Sequence, residues 1–173
     1  MKTPKTIALM GTSGAGKTTL GKELARRMNV IFIEHDAIRH KANWETASEE
    51  EIRDVIETLI EGHDSWVIDR IAGDYISDRV DIILWLDLAL HLKLARATRR
   101  SLKRLRTKEE LWNGNRESFR GAFLDKKGVV PYLIRSHFRH RHIIPTHPAF
   151  DKVLRLRTPG EVHDWLSSTF PDS

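Results

Sequence analysis

Five short apolar runs alternate with segments in which apolar residues recur every three or four positions. The runs at 6–10, 30–33, 66–69, 81–86 and 151–156 have the length and hydrophobicity of strands. Residues 18–28 read as a helix with Leu20, Leu24 and Met28 on one face. A second helix carries Ile52, Val55, Ile56, Leu59 and Ile60. Ser48 and Glu51 form a capping box at its start, and Gly62 suits its end. Residues 88–106 read as a long helix with Leu94, Thr98, Leu102 and Leu105 on one side. Residues 118–140 are expected to be helical with interruptions at Gly121, Gly128 and Pro131. A last helix opens at Glu161, after Pro159-Gly160. Alternating strand and helix predicts an α/β fold with a mainly parallel five-stranded sheet between helical layers. Neither repeats nor linkers divide the chain, so residues 1–173 are expected to form a single domain. The tail 171–173 is expected to fray.

One segment changes this from a fold prediction to a chemical one. Residues 11–18 read Gly-Thr-Ser-Gly-Ala-Gly-Lys-Thr, the full G-x-x-x-x-G-K-[ST] pattern, between the first strand and the first helix. Glycines at 11, 14 and 16 let successive backbone N–H groups turn inward toward phosphate oxygens. The following helix adds its unpaired N-terminal amides and positive dipole end. The nucleotide-binding residues are then Gly11, Ser13, Gly14, Ala15, Gly16, Lys17, Thr18 and Thr19. Lys17 reaches the β/γ oxygens and Thr18 offers a hydroxyl to Mg²⁺. The expected ligands are ATP and Mg²⁺.

Composition fits this reading without deciding it. The 173 residues, 40% hydrophobic, suffice for one core. With no cysteine, disulfides and thiolate metal sites are excluded, which suits a reducing, cytoplasmic setting. No apolar run approaches a membrane span, and Met1 to Pro4 leave no room for a signal peptide before the first strand. The net charge of +5 favours polyanionic ligands, nucleotides first and nucleic acid as a lesser possibility.

Magnesium needs a partner besides Thr18. Asp69 and Asp87 both end apolar strands and qualify, although Asp87 also suits the N-cap of the long helix. Asp36, past the second strand, can accept a proton from an acceptor hydroxyl or merely cap the turn that follows. Arg39 can hold an anionic group of an acceptor or stay solvated. Between Lys93 and Lys108 lie eight basic residues, of which Arg96, Arg99, Arg100 and Lys103 share one arc. Such an arc over a phosphate loop would offset the charge of a migrating phosphoryl group. Residues 103–127 have the composition of a lid, with Gly114 as hinge and Arg116 delivered by it. His137, His140, His142 and His147 allow a metal site, a phosphate-facing patch or an exposed helix end. Trp44 and Trp112 can stack on a base, pack a lid or sit in a core.

Together the loop, the strand ends and the arginines resemble P-loop kinases of the adenylate kinase/shikimate kinase type, closest to the FlaR-like (DNA topology modulation) adenylate-kinase-like group. The likeness rests on residues 11–19, on Ile33-Glu34-His35-Asp36, on Trp66-Val67-Ile68-Asp69, on Arg96 and Arg100, and on 111–117. It implies a three-layer P-loop NTPase fold with a small helical lid. It selects Asp69 for magnesium, Arg96 for packing on adenine and Arg100 for phosphate, and it sets Thr158 and Pro159 beside the adenine. Arg70 departs from the group's Asp-Gly-Asn-Tyr and is a candidate acceptor ligand. The implied activity is transfer of the γ-phosphoryl of Mg-ATP to a small acceptor, a nucleotide or nucleoside first. Lys17, Arg96, Arg100 and Asp36 would be catalytic, and Asp36, Arg39, Arg70 and Arg116 would face the acceptor. The chain is expected to act as a monomer or weak dimer away from membranes. The alternative is a nucleotide-dependent nucleic-acid-binding regulator using the basic segment.

Overall fold

A computed structural model describes residues 3–70, 74–125, 128–146 and 149–172. In chain order the elements are β1 Thr6–Met10, α1 Lys17–Met28, β2 Ile31–Ile33, α2 His35–Arg39, α3 Glu49–Ile60, β3 Trp66–Ile68 and α4 Asp74–Ser77. Then follow β4 Ile82–Leu86, α5 Leu90–Thr107, α6 Val129–Ile143, β5 Val153–Leu156 and α7 Pro159–Thr169. The five strands form one sheet in the order β2-β3-β1-β4-β5, and every pairing is parallel.

Successive residues of a strand point to opposite faces, so near-continuous apolar runs supply two cores at once. Ala8 of β1 joins Ile52, Ile56, Ile60, Ile68 and Ile83 on one face. Ile7 and Leu9 join Leu20, Leu24, Val67, Leu84 and Leu166 on the other. The result is the expected α/β/α sandwich, with β1 at its centre. Chain order reverses on either side of β1, so its C-terminal end opens into the crevice where open α/β sheets bind ligands.

The capping box of α3 forms as expected. Ser48 Oγ accepts the Glu51 N–H at 3.1 Å, and the Glu51 carboxylate accepts the Ser48 N–H at 2.8 Å. Three expectations are corrected. In α5 the buried face is Lys93, Ala97 and Ser101, while Leu102 is 50% exposed. The helix turns its small residues inward because its backbone rides directly on the phosphate loop. Pro131 does not interrupt α6, since it sits in the first turn, where no helical hydrogen bond is lost. The interruptions expected at Gly121 and Gly128 are present: Gly121 lies in a π-helical turn, Arg120–Leu124, and Gly128 is the N-cap of α6. Finally, Asp172 does not fray but pairs with Arg26 at 2.7 Å and Arg27 at 2.9 Å; Ser173 lies outside the described residues. Among the described residues no helix is long and apolar enough to cross a membrane.

Candidate functional site

The loop after β1 is built for an anion. Gly14 and Gly16 have φ of 77° and 96°, in the left-handed region that glycine tolerates. Gly16 caps α1 with no side chain, and the first turn carries no acidic residue. The amides at the start of α1 therefore keep their donors and their positive field for a ligand.

Two arginines of α5 close on this loop. Arg100 Nη2 donates to Ser13 Oγ at 2.6 Å. Arg96 Nη1 lies 3.8 Å from where a Cβ on Gly16 would stand. Of the four arc residues, these two are the ones in contact with the loop.

Lys17 opens α1 and is half-buried. Burial pushes its amine down; Asp69 and Asp36 pull it up, and Arg100 and Arg70 push it down further. Two carboxylates and two guanidiniums thus act electrostatically on the loop lysine. Asp69 is 3% exposed, and its Oδ1 accepts the His35 N–H at 2.8 Å. Burial raises its carboxyl, against the pull of that hydrogen bond and of Lys17. Asp36 is held down at about 2: burial would raise it, but the neighbouring His35, Lys17 and His40 outweigh that. Asp36 is the second residue of α2, and the N-cap position belongs to Glu34, which makes no capping bond. A capping role for Asp36 is thereby removed.

Asp87 is not the N-cap of α5, which is Ala89. It is buried and accepts from Arg141 Nε at 3.1 Å and from Arg155 Nε at 3.0 Å. Two guanidiniums compete with any cation there, whereas Asp69 feels Lys17, Asp36 and His35 and has no guanidinium bonded to it among the described residues. Thr18 and Asp69 are hard oxygen donors of the kind Mg²⁺ takes, one or two at a time, beside substrate phosphates. Among the described residues no group of three or more His, Cys, Asp or Glu could hold a metal ion. A divalent ion at Thr18 and Asp69 would take its remaining ligands from phosphate and water oxygens.

The acceptor-side candidates are dispersed. Arg70 follows Asp69 and acts on Lys17, His40 and His140. Arg39 ends α2, half-buried, and lies near His40. Arg116 lies at the surface, 3.6 Å from Glu110, and its side chain is 60% exposed. Thr158 and Pro159 stand at the C-terminal end of β5, where Thr158 Oγ1 caps α7 by accepting the Glu161 N–H at 3.1 Å. Ile71, Ala72 and Gly73, which carry part of the departure from the FlaR-like pattern, lie outside the described residues, as does His147.

The burial of Lys93 escaped the sequence reading, which left the histidine run open between a metal site, a phosphate-facing patch and an exposed helix end. Lys93, counted there among surface cations, is 2% exposed, and its Nζ lies 2.7 Å from His137 Nδ1. Burial lowers its amine to about 8. His140 is half-buried with an unpartnered Nδ1, and burial together with Lys17, Lys93, Arg139 and Arg70 lowers it to about 4. The histidine run marked His137 and His140; tertiary packing sets His137 against Lys93 and brings His140 under the influence of Lys17.

Comparison with known proteins agrees with the architecture. The sequence profile of the AAA domain matches residues 7–120. No curated protein sequence matches. Among solved structures, the chain is similar to the shikimate kinase of Bacteroides thetaiotaomicron at 17% identity, covering 95% of this chain and 96% of that one, with a TM-score of 0.52. The shikimate kinase of Acinetobacter baumannii, solved with shikimate, aligns at 16% identity over 95% and 92% of the two chains, with a TM-score of 0.53. Deoxyadenosine kinase from M. mycoides, solved with bound dATP, aligns at 10% identity over 94% and 98%, with a TM-score of 0.54. At these identities the likeness establishes a shared fold.

Proposed function

The chain belongs to the AAA domain family, and from that footing we propose that it is an ATP-dependent small-molecule kinase. The observation that carries this reading is the phosphate loop that holds Lys17, with Arg100 bonded to its Ser13 and with Asp36 and Asp69 both acting on the lysine. A second carboxylate acting on the loop lysine gives the site a group to orient a nucleophile besides one for the metal.

In this reading the triphosphate of Mg-ATP lies on residues 11–19, with Thr18 and Asp69 toward the metal. Magnesium held by Thr18 and Asp69 would supply charge neutralisation to the polyphosphate. An acceptor hydroxyl held by Asp36 attacks the γ-phosphorus, the bond to the β-phosphate oxygen breaks, and ADP leaves. Asp36, ionised at neutral pH, orients the hydroxyl and takes its proton late, as a loose transition state allows. Lys17, Arg96 and Arg100 stabilise the charge spread over the equatorial oxygens. Arg39, Arg70 and Arg116 are the cations available to an acceptor's anionic group. Arg96, Thr158 and Pro159 would border the base.

Asp36, ionised and acting on Lys17, favours a hydroxyl acceptor over a phosphate one, so a nucleoside-like compound leads a nucleoside monophosphate. Proteins of this fold solved with shikimate and with dATP support a small-molecule cleft. Within the P-loop kinases, the FlaR-like group remains the finer placement suggested by 33–36, 66–69 and 111–117. The test is an ATP-coupled screen of nucleosides, nucleoside monophosphates and small hydroxyl metabolites against an acceptor-free control. The expected result is ADP release that depends on one acceptor class. Release at the same rate with and without every acceptor would contradict the proposal.

A further inference from the structure

Two short turns far apart in sequence share one backbone. An isolated antiparallel bridge joins His40 to Thr46, and another joins Glu110 to Arg116. Inside each lies a 3-10 turn, Ala42–Trp44 and Trp112–Gly114. Each turn places an asparagine in the left-handed region, with φ of 57° at Asn43 and 56° at Asn113, followed by a second positive φ at Trp44 and Gly114. Each closes with the equivalent bond: Lys41 N–H to the Glu45 carbonyl at 2.8 Å, and Leu111 N–H to the Asn115 carbonyl at 2.7 Å.

The two turns are docked on one another. Asn115 is 4% exposed. Its Oδ1 accepts the Trp44 N–H at 2.8 Å, and its Nδ2 donates to the Lys41 and Trp112 carbonyls, each at 2.8 Å. Asn113 Nδ2 donates to the His40 carbonyl at 2.6 Å. The His40 ring stacks on Trp112, with centroids 5.9 Å apart, and meets the edge of Trp44 at 5.4 Å. Neither turn contributes to the two apolar cores. Polar bonds and rings hold this contact, and each polar bond has an equivalent in water, so it can open without unfolding the sheet.

Its placement gives it a task. Residues 40–46 follow α2, which carries Asp36 and Arg39. Residues 110–116 follow α5, which carries Arg96 and Arg100. Arg100 holds Ser13 of the phosphate loop, and one turn on Arg104 Nη1 holds Glu117 at 2.9 Å, next to the second turn. A continuous line of contacts therefore runs from the phosphate loop through α5 to the acceptor-side turn.

We propose that Asn113 and Asn115 clasp the acceptor-side turn to the segment beyond α5, so that filling the phosphate loop and closing the acceptor side are one event. Asn115 is the positioning residue of this clasp. The inference rests on the nucleotide reading above. Such coupling keeps water from the γ-phosphoryl until both sides are covered.

The Trp44 amide reports the clasp directly, because its partner is Asn115 Oδ1. Hydrogen exchange at Trp44 is to be followed in the free protein and with Mg-AMP-PNP, in wild type, Asn113→Gly and Asn115→Asp. Asn113→Gly keeps the left-handed backbone and removes one link. Asn115→Asp keeps the acceptor and loses both donors. Mg-AMP-PNP is expected to slow Trp44 exchange at least tenfold in wild type and less than threefold in either variant. Nucleotide binding that leaves Trp44 exchange unchanged, or full slowing in Asn113→Gly, overturns the clasp and leaves the nucleotide reading standing. If Asn115→Asp fails to fold, Asn113→Gly decides. No binding of Mg-AMP-PNP to wild type overturns both.

Discussion

A Cβ placed on Gly14 would come within 2.3 Å of the Lys93 carbonyl oxygen, so the phosphate loop and α5 meet backbone to backbone. This contact fixes the register of α5 and, through it, the reach of Arg96 and Arg100.

Replacing Gly14 is therefore expected to damage both stability and binding. Gly14→Ala meets a backbone oxygen that cannot swing away and a φ of 77° that alanine resists. Each contributes about 1–3 kcal/mol of destabilisation. Thermal melting should show a lower midpoint, and calorimetry an ATP affinity reduced by more than tenfold. A variant matching wild type in both would separate α5 from the loop.

Asp36 is expected to act on the chemistry and not on nucleotide capture. Asp36→Asn should lower turnover by at least about 100-fold, the range for a lost general base. ATP affinity should stay within a few-fold. Steady-state rates on the acceptor found by the screen, beside an ATP titration, check this. Unchanged turnover would remove Asp36 from the mechanism.

Lys93 predicts a pH dependence of stability. Its folded amine titrates at about 8 against 10.5 for the free side chain, so the unfolded chain binds more protons between those values. Stability attributable to Lys93 then rises as pH climbs from about 8 to 10.5 and is flat below. Denaturant unfolding of wild type and Lys93→Met across this range should show a difference that shifts toward wild type with rising pH. A constant difference would mean that Lys93 is not desolvated.

His140 gives the matching effect in acid. Its folded imidazole is lowered to about 4 from 6.5, so its contribution is present above pH 6.5 and lost as pH falls toward 4. His140→Gln should flatten that part of the acid limb of the stability curve. An acid limb identical to wild type would place His140 in solvent.

Much of the scaffold was legible because it is local. Strand positions follow from apolar runs, the phosphate loop from eight contiguous residues, and the start of α3 from Ser48 and Glu51. What failed was set by contacts distant in sequence. The apolar stripe of α5 pointed to Leu102, but the close approach of Gly14 turned Lys93, Ala97 and Ser101 inward. Asp87 has the sequence context of a cap, and only Arg141 and Arg155, 54 and 68 residues away, show its actual task. Gly114 stood out as a hinge, yet nothing local links residues 110–116 to residues 40–46. Among the cations of α5, Arg100 bonds the loop, Lys93 is buried against His137 and Arg104 pairs with Glu117, a division that spacing alone does not show.

The central claim is that the loop around Lys17 binds the polyphosphate of Mg-ATP. Titration calorimetry of wild type and Lys17→Ala with Mg-ATP tests it most directly. The account predicts a saturable heat for wild type and an affinity at least about tenfold weaker for the variant, the loss of one charge-assisted contact. Folded wild-type protein that gives no heat with Mg-ATP, or a variant that binds as tightly as wild type, would contradict it.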